Sequence, residues 1–381
     1  MLELLAPIFL GLTALVVFDS LSRPDDPSED SSDGEDTQPE SDPPQTISLN
    51  ELGSFCGGDE DDDILVRTKT GTSTFYDWDV YASIPDDPVM EVRGGLGDDT
   101  LRLSGGGYRV FGDEGSDVIY AQDASDIAIY GGSGDTVFGG TGDHVYTRLS
   151  DDAIFIGGDG NDFVISSSTA STNLGCGDDV FLGLKEGWNS GETATADLVY
   201  GGQGNDLIFG TARESYLWST HANDQDLVSL DADTLYGGYG DDTLIGSHGD
   251  LLFGGEGMDN FQVVLNLGGS LPTASVEDFD PHKEHIEVRV GAGDGDELFP
   301  EYYRSLKFSD FSQHVNEAGD SVLRDKFGSD LLRVSGTGEL KIGLEGWDSD
   351  RACKCFLDLN GNEIAQADCH ILIRGQVDAY L

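Results

Sequence analysis

The chain has few basic residues. Of its 381 residues, 20 are Lys or Arg and 73 are Asp or Glu, so the formal net charge is −53. Nucleic-acid binding needs clustered Lys and Arg side chains that neutralise phosphates, and this shortage excludes it. Such a surplus of negative charge also makes a compact state repel itself unless a cation binds.

The five cysteines form no metal-site pattern. No CxxC pair and no zinc-site spacing occurs among Cys56, Cys176, Cys353, Cys355 and Cys369. Three of them lie near the C-terminus, where one disulfide is expected if the protein is exported. The odd count leaves at least one thiol unpaired within a monomer, and the connectivity stays open.

Recognised catalytic motifs are missing as well. The sequence contains neither HExxH nor GxSxG, and the HKEH segment at 282–285 has the wrong spacing for two zinc ligands on a helix. The DLNGN segment at 358–362 matches half of a calcium loop, and its missing ligands favour an ordinary turn. The sequence therefore predicts a protein that is not an enzyme.

Long apolar stretches are confined to the N-terminus. Residues 1–22 are predicted to form a hydrophobic helix that inserts into a membrane, either as a signal or as a retained anchor. Residues 23–47 are rich in Pro, Ser and acids, and predict a disordered linker. Residues 48–93 contain strand-like pieces such as DILVRT, which we interpret as an N-terminal cap.

What the sequence does contain is 53 glycines, which predict many tight turns, and most of them recur with a nine-residue period between residues 94 and 265. The clearest units are GGLGDDTLR (94–102), GDEGSDVIY (112–120), GGDGNDFVI (157–165), LGCGDDVFL (174–182), GGQGNDLIF (201–209), GGYGDDTLI (237–245) and GGEGMDNFQ (254–262).

The eighth position of this repeat is apolar along its whole length. Sixteen of nineteen such positions are apolar, against 38% of the chain, with the register slipping by one residue in places. They are Leu101, Val110, Ile119, Ala128, Phe138, Tyr146, Phe155, Val164, Asn173, Phe181, Ser190, Val199, Ile208, Leu217, Asp226, Leu235, Leu244, Phe253 and Phe261. This spacing predicts one short strand per repeat, each burying one side chain against its stacked neighbours.

The sixth position carries the acids. If two repeats make one turn of a solenoid, alternate repeats share a side. One side is then predicted to carry Asp99, Asp117, Asp206, Asp224, Asp242 and Asp259, and the other Asp126, Asp162, Asp179, Asp197 and Asp233. Carboxylates stacked at strand spacing repel each other without a counter-ion. Ca²⁺ suits such a site because it takes six to eight oxygens in flexible geometry, whereas Mg²⁺ demands a tight octahedron.

The motif GGxGxDxUx, where U is apolar, resembles the RTX nonapeptide repeat of hemolysin-type calcium-binding proteins. The resemblance implies an all-β fold, a right-handed parallel β-roll over residues 94–265 with several Ca²⁺ ions between successive turns. It also implies that carbonyls of the second and fourth positions and the sixth-position Asp bind calcium. Carried over, the ligands are Gly95, Gly97, Asp99, Asp117, Gly158, Gly160, Asp162, Gly175, Gly177, Asp179, Asp197, Gly202, Gly204, Asp206, Asp224, Gly238, Gly240, Asp242, Gly255, Gly257 and Asp259.

Residues 266–381 are expected to form a β-rich C-terminal cap, beginning with a strand segment at 276–290 that resembles those closing such rolls. The family is typically exported by a type I secretion apparatus that reads a C-terminal signal, which predicts a secreted or cell-surface protein with an extracellular target. The N-terminal apolar segment and the cysteines depart from that pattern and leave the route open. Two functions are carried forward: a calcium-folded structural or adhesive protein, and a secreted polysaccharide-directed enzyme or toxin with a site in 266–381.

Overall fold

A computed structural model describes residues 45–48, 55–58, 61–67, 90–124, 127–141, 145–150, 152–167, 169–185, 196–213, 232–267, 271–291, 308–348 and 353–375. All of them belong to one unit, Pro43–Leu381. The predicted helix at 1–22 and the linker up to residue 44 lie outside this part of the chain. In the described part, no helix is long and apolar enough to cross a membrane.

The described residues form 28 strands, numbered in chain order, in two sheets of 14 strands each. The first sheet consists, in spatial order, of β1 (Gln45–Ser48), β3 (Asp63–Arg67), β5 (Thr100–Gly105), β7 (Val118–Ala124), β9 (Thr136–Phe138), β11 (Ala153–Gly158), β13 (Ala170–Cys176), β15 (Leu198–Gln203), β17 (Thr234–Tyr239), β19 (Leu251–Glu256), β21 (Ala274–Val276), β25 (Asp330–Val334), β24 (Ser321–Asp325) and β23 (Phe311–Val315).

The second sheet consists of β2 (Phe55–Cys56), β4 (Met90–Leu96), β6 (Tyr108–Glu114), β8 (Ile127–Tyr130), β10 (Val145–Leu149), β12 (Phe163–Ser166), β14 (Val180–Lys185), β16 (Leu207–Arg213), β18 (Thr243–Gly246), β20 (Asn260–Asn266), β22 (His285–Gly291), β28 (Ile371–Gly375), β26 (Ile342–Asp348) and β27 (Cys353–Asp358). Two short 3-10 helices, Phe308–Asp310 and Gln366–Asp368, complete the regular structure of the described residues.

From β1 to β22 the chain alternates between the sheets, and each strand pairs in parallel with the strand two positions earlier. One turn of this solenoid-like arrangement therefore contributes one strand to each sheet. The all-β prediction with parallel pairing is confirmed. The sheets also extend beyond the predicted limits of the repeat region: β1 takes in residues 45–47 of the predicted linker, and β3 and β4 take in part of the predicted cap.

The core lies between the two sheets and consists of the predicted apolar stripe. Leu101, Ile119, Phe155, Val199 and Phe261 are all fully buried, and they belong to one continuous cluster. Where the register slips, the residue just before the predicted one is buried instead: Val137, Thr172 and Leu252 replace Phe138, Asn173 and Phe253. The period of nine thus reflects the inward side chain of each short strand.

The C-terminal region continues both sheets. Strand β25 adds to β21 in parallel and then turns back through β24 and β23 as an antiparallel meander. Strand β28 adds to β22, followed by β26 and the antiparallel β27. The predicted strand segment at 276–290 contains β22, although the sheet continues past it. Asp358 accepts hydrogen bonds from the amides of Asn360 and Asn362, so DLNGN is a turn, as expected.

Candidate metal centre

The glycine-rich motifs form the turns that connect the two sheets. Turns that run from the second sheet into the first make up what we call the first edge, and turns from the first sheet into the second make up the second edge. The sixth-position Asp is the last residue before each new strand: Asp117 precedes β7 on the first edge, and Asp242 precedes β18 on the second. Both edges therefore bring their carboxylates into a column along the stack of strands.

On the second edge the carboxylates form a continuous hydrogen-bonded ladder. The backbone N–H of Asp206 donates to Oδ1 of Asp242 at 2.8 Å, and that of Asp242 donates to Oδ1 of Asp259 at 3.0 Å. The same bond links Asp162 to Asp179 at 2.7 Å and Asp179 to Asp206 at 2.9 Å. These five residues lie on adjacent turns, and Oδ1 of each carboxylate after the first is used by the backbone of the preceding turn.

The first edge carries a second ladder, and its membership corrects the sequence-based assignment of sides. Asp99 donates to Asp117, and Asp117 donates to Asp135, at 2.8 and 2.9 Å. Further along the same edge, Asp197 donates to Asp233 at 2.8 Å. The prediction that placed Asp99 and Asp117 with Asp206, Asp242 and Asp259, and Asp197 and Asp233 with Asp162 and Asp179, is therefore wrong.

The physical reason is that extra residues enter in multiples of nine. Neighbouring ladder members are 17 or 18 residues apart in most turns, but Asp179 and Asp206 are 27 apart, and Asp206 and Asp242 are 36 apart. An insertion of nine or eighteen residues keeps the sequence repeat in phase. The number of turns counted from the sequence is then larger than the number in the stack. Asp224 lies outside the described residues, and the direct Asp206–Asp242 bond leaves no ladder position between those two.

In six of these ladder residues the other carboxylate oxygen has no hydrogen-bond partner. Oδ2 is buried and makes no hydrogen bond in Asp99, Asp117, Asp179, Asp206, Asp242 and Asp259. A buried acceptor that is left unsatisfied costs about 1–3 kcal/mol, and more when it is charged. Six such atoms in equivalent turns are a systematic feature, and a cation is the ligand that would satisfy all of them.

Burial also changes the acidity of these groups. Removal from water raises the pKa of Asp117 and Asp206 to about 7, and that of Asp179 and Asp242 to about 6, against the backbone hydrogen bonds that lower it. The pKa of Asp99 and of Asp259 is raised for the same main reason. Without a nearby positive charge, these carboxylates therefore take up protons at a pH well above that of exposed aspartates.

At Asp99, Asp206 and Asp242, a backbone carbonyl points to the same space as the unpaired Oδ2 atom. A Cβ atom placed on Gly94 would lie 2.5 Å from Oδ2 of Asp99 and 2.5 Å from the carbonyl oxygen of Gly112. Gly237 stands in the same relation to Oδ2 of Asp242 and the carbonyl oxygen of Gly254. Carboxylate and carbonyl oxygens thus converge between neighbouring turns, where only a glycine leaves room, and this set suits Ca²⁺.

The second- and fourth-position glycines carry the remaining predicted carbonyls. Gly238 and Gly240 have φ values of +122° and +132°, and a Cβ on either would meet the carbonyl oxygen of the preceding turn's glycine, Gly202 or Gly204. Their carbonyl oxygens are therefore directed along the stack, towards the next turn. Positive φ recurs at Gly95, Gly97, Gly175, Gly177, Gly202, Gly204, Gly255 and Gly257, whereas Gly158 and Gly160 do not adopt it.

The two ladder segments of the first edge each end at an aspartate whose Oδ2 atom accepts a backbone amide. Asp135 accepts the N–H of Gly132 on its Oδ2 atom, and Asp250 accepts the N–H of Ser247. Asp278 accepts the amides of Gly254 and Gly255, both at 2.9 Å. Sequence reasoning missed these three residues because they lie outside the GGxGxD spacing. An Asp directly after a short glycine turn is the signal that could have found Asp135 and Asp250, whereas Asp278 follows no such turn.

A further row of side chains, at the fifth position, was also missed. Asn205 and Asp241 accept amide hydrogen bonds from the next turn, from Asp241 and Met258, at 2.8 Å each. Asp178 accepts in the same way from Asn205. Met258 closes this row, since it donates its amide and no further turn needs an acceptor. The row is exposed and links turns in the opposite direction to the sixth-position ladder.

The remaining predicted residues fall as follows. Gly95, Gly97, Asp99, Asp117 and Asp197 lie on the first edge, and all the others apart from Asp224 lie on the second edge. Within the described ranges, no group of three or more His, Cys, Asp or Glu side chains converges on one point. A metal at these turns would therefore depend on backbone carbonyls together with the carboxylates.

The comparisons with known proteins add no relative. No model of a known protein family matches the chain, and a search of curated proteins finds no match either. The functional argument for this protein therefore depends on its repeat pattern and on the geometry of the two ladders.

Proposed function

We propose that this chain is an extracellular calcium-binding protein, in which Ca²⁺ ions between GGxGxD turns hold a right-handed parallel β-roll together. The family resemblance of the nonapeptide motif supports the handedness, the metal and the export. Its role is structural or adhesive at a cell surface or beyond it. Residues 1–22 supply membrane insertion, and the C-terminal region is read by a type I secretion apparatus.

The single observation that carries the proposal is the repeated pairing of an unsatisfied, buried Oδ2 atom with a carbonyl oxygen of the next turn. At Asp242 this pair involves the carbonyl of Gly254, and at Asp99 it involves that of Gly112. Two oxygens without a hydrogen atom between them repel each other. A cation placed there would reverse the sign of that interaction at Asp99, Asp206 and Asp242.

The oxygen set and its setting favour Ca²⁺ over other metals. Zinc prefers His and Cys, and the ladders are built from neither. Mg²⁺ keeps its waters and needs near-octahedral geometry, whereas main-chain carbonyls spaced by the turns match the longer and more variable Ca²⁺–oxygen distances. Calcium also offsets part of the formal charge of −53 that opposes a compact state.

Calcium would then act as a folding switch. Extracellular modules bind calcium with Kd of about 10⁻⁴–10⁻³ M, far above the free concentration inside cells. At a tenfold excess over Kd, each site adds about 1.4 kcal/mol to the stability of the folded state. With these sites empty, the chain would stay expanded before export. Once calcium fills several sites along the two ladders outside the cell, the chain would fold.

The experiment is a titration of the full chain, followed by far-UV circular dichroism, from excess chelator to 10 mM Ca²⁺ and in parallel with Mg²⁺. We expect a cooperative gain of β signal with Ca²⁺ and a much smaller one with Mg²⁺. A full β spectrum in chelator that Ca²⁺ leaves unchanged in shape and in thermal midpoint would refute the proposal.

The alternative function is an enzyme with its site in 266–381, for which a cluster of buried, converging carboxylates in a C-terminal cleft is the expected sign. Glu287 and Glu345 converge on the outer face of the second sheet, and each lies within 3.3 Å of Nε of Arg374. Arg289 also pairs with Glu287 at 2.7 Å, so two guanidinium groups balance the two carboxylates in a structural ion-pair network. It does not favour catalysis.

A further inference from the structure

Two columns of outward side chains on the first sheet carry no charge over seven strands, although Asp123 and Glu256 are exposed at the ends of β7 and β19. From β7 to β19, two columns of side chains point away from the core, since the residues between them are buried. The two columns consist of Val118, Thr136, Ile154, Ser171, Leu198, Thr234 and Leu251, and of Tyr120, Phe138, Ile156, Asn173, Tyr200, Tyr236 and Phe253. In a chain of net charge −53, fourteen uncharged outward positions form a distinct surface.

Aromatic rings divide the second column into two stacks. Tyr120 and Phe138 stack with their centroids 4.9 Å apart and their planes 8° apart. Tyr200, Tyr236 and Phe253 form the other stack, with centroid distances of 4.7 and 4.6 Å. Within a stack the rings cover each other, so the faces left free belong to the end members.

A notch lies between the two stacks. Phe138 pairs with Ile156, Ile156 with Asn173, and Asn173 with Tyr200, so the facing rings of Phe138 and Tyr200 are three strand spacings, about 14 Å, apart. Ile156 is 39% exposed, and Asn173 is exposed as well. The notch therefore offers two aromatic faces at its ends and an amide between them.

The size of the surface limits what could bind there. Six spacings of 4.7–4.9 Å give a length of about 29 Å, and two columns that are each about 7 Å wide give an area on the order of 400 Å². A standard protein–protein interface buries about 800 Å² per partner, twice this area. The surface is therefore too small for a standard interface with a second copy of the chain, and a narrow, extended ligand fits it better. An added peptide strand would need a free sheet edge, which this face lacks.

The charge distribution limits the chemistry. Polyanions and anionic membranes are repelled by the acidic chain, and a cationic partner would be drawn to the carboxylate edges. We propose that the notch between Phe138 and Tyr200 binds a neutral polysaccharide, with a sugar ring stacked on the face of Tyr200 and its hydroxyls bonded to the amide of Asn173. The apolar C–H faces and polar rim of a sugar ring match this alternation of ring face and amide.

The test uses affinity gel electrophoresis of the full chain in 10 mM Ca²⁺, in gels containing hydroxyethylcellulose, dextran, xyloglucan or glucomannan. We expect retardation by at least one of the four. Tyr200→Leu and Asn173→Ala should each weaken it by about threefold to tenfold, as expected for the loss of one ring or amide contact. The control is Tyr239→Leu, since Tyr239 is 60% exposed but is the last residue of β17, outside the two columns.

Retardation by none of the four polymers overturns this inference, as does an equal loss with Tyr239→Leu. Binding of a proline-rich peptide in place of the polymers would assign the notch to a different class of partner and also overturn it. Circular dichroism of each variant in Ca²⁺ separates this outcome from a failure of the calcium proposal. A circular dichroism signal that does not respond to calcium would count against the calcium sites alone. A protein that responds to calcium but is not retarded in any of the gels would count against polysaccharide binding at this face alone.

Discussion

The backbone N–H of Asp206 donates to Oδ1 of Asp242 at 2.8 Å, although 36 residues separate them in the sequence. The two residues therefore occupy adjacent turns, with Gly201 and Gly237 stacked behind them. Oδ2 of Asp242 meanwhile remains without a hydrogen-bond partner. One carboxylate thus has a structural oxygen that holds the stack and a second oxygen that is available to a cation. This division of roles makes the two functions separable by mutation.

Asp242→Asn should have opposite effects in chelator and in calcium. The new amide keeps an oxygen for the N–H of Asp206 and places a donor near the carbonyl of Gly254, so the metal-free protein should gain on the order of 1 kcal/mol. In Ca²⁺ the same change removes a ligand, and the increase in thermal midpoint produced by calcium should shrink. Thermal unfolding in chelator and in 10 mM Ca²⁺ measures both effects.

Asp250→Asn is the matched control. Its Oδ2 atom already accepts the N–H of Ser247, so an amide there would set one donor against another. We expect a loss of about 1–3 kcal/mol both with and without calcium. If Asp250→Asn reduced the calcium response as much as Asp242→Asn, the distinction between ladder members and ladder ends would be wrong.

The metal-free protein should become more stable as the pH falls from 8 to 5. The pKa values of Asp117 and Asp206 are raised to about 7, and those of Asp179 and Asp242 to about 6, from 3.8. The folded state therefore binds protons that the unfolded state releases, and this stability is complete below about 4 and lost as the pH rises through 6–7. Thermal midpoints of dialysed, metal-free protein at each pH measure the trend.

Calcium should reverse this trend, since ligand carboxylates must lose their protons before they bind the metal. The calcium concentration at half-transition should rise as the pH falls below 7. Acid also stabilises the folded state by reducing the general repulsion in a chain of charge −53. Comparison with Asp206→Asn separates the contribution of the ladder carboxylate to the pH dependence from this general effect. A pH dependence in metal-free protein that is as steep in this variant as in the parent would contradict the assignment.

Gly240→Ala should be far more damaging than Gly319→Ala. Both glycines have positive φ, +132° and +90°, so each alanine costs about 1–2 kcal/mol of backbone strain. At Gly240 the added Cβ would also collide with the carbonyl oxygen of Gly204, whereas nothing lies within 4 Å at Gly319. Denaturant unfolding in Ca²⁺ should show a clear excess loss for Gly240→Ala. Equal losses would mean that the turns can separate to admit a side chain.

Much of this architecture could be predicted from the sequence, because a short strand buries one side chain in each nine-residue unit. The apolar stripe through Leu101, Phe155 and Val199 predicted the core, and the acids at Asp179 and Asp242 predicted the columns. Which aspartates share an edge could not be predicted, because an insertion of nine or eighteen residues leaves the nine-residue repeat of the sequence in phase. The hydrogen bond from Asp206 to Asp242 and the pairing of β16 with β18 show which turns are neighbours.

The candidate site was predictable only in part, for a similar reason. The motif identifies a carboxylate, but both Asp242 and Asp250 are ladder aspartates, and they differ in whether a local N–H reaches Oδ2. That difference depends on the path of a few backbone atoms in the turn. The carbonyl of Gly254, which faces Oδ2 of Asp242, was likewise invisible, because every residue has a carbonyl and its direction is set by the turn.

Deletion of residues 214–231 should leave the calcium response intact. The deletion removes eighteen residues, two full repeats, and joins Arg213 directly to Ala232, just before Asp233 and β17. Because Asp206 already bonds to Asp242 across this insertion, the ladder needs no residue from it. Shortening a connection also lowers the entropy cost of closing it, so the thermal midpoint in Ca²⁺ should stay the same or rise slightly. A loss of the cooperative calcium transition would show that the inserted repeats belong to the stack, and the adjacency of Asp206 and Asp242 would then be wrong.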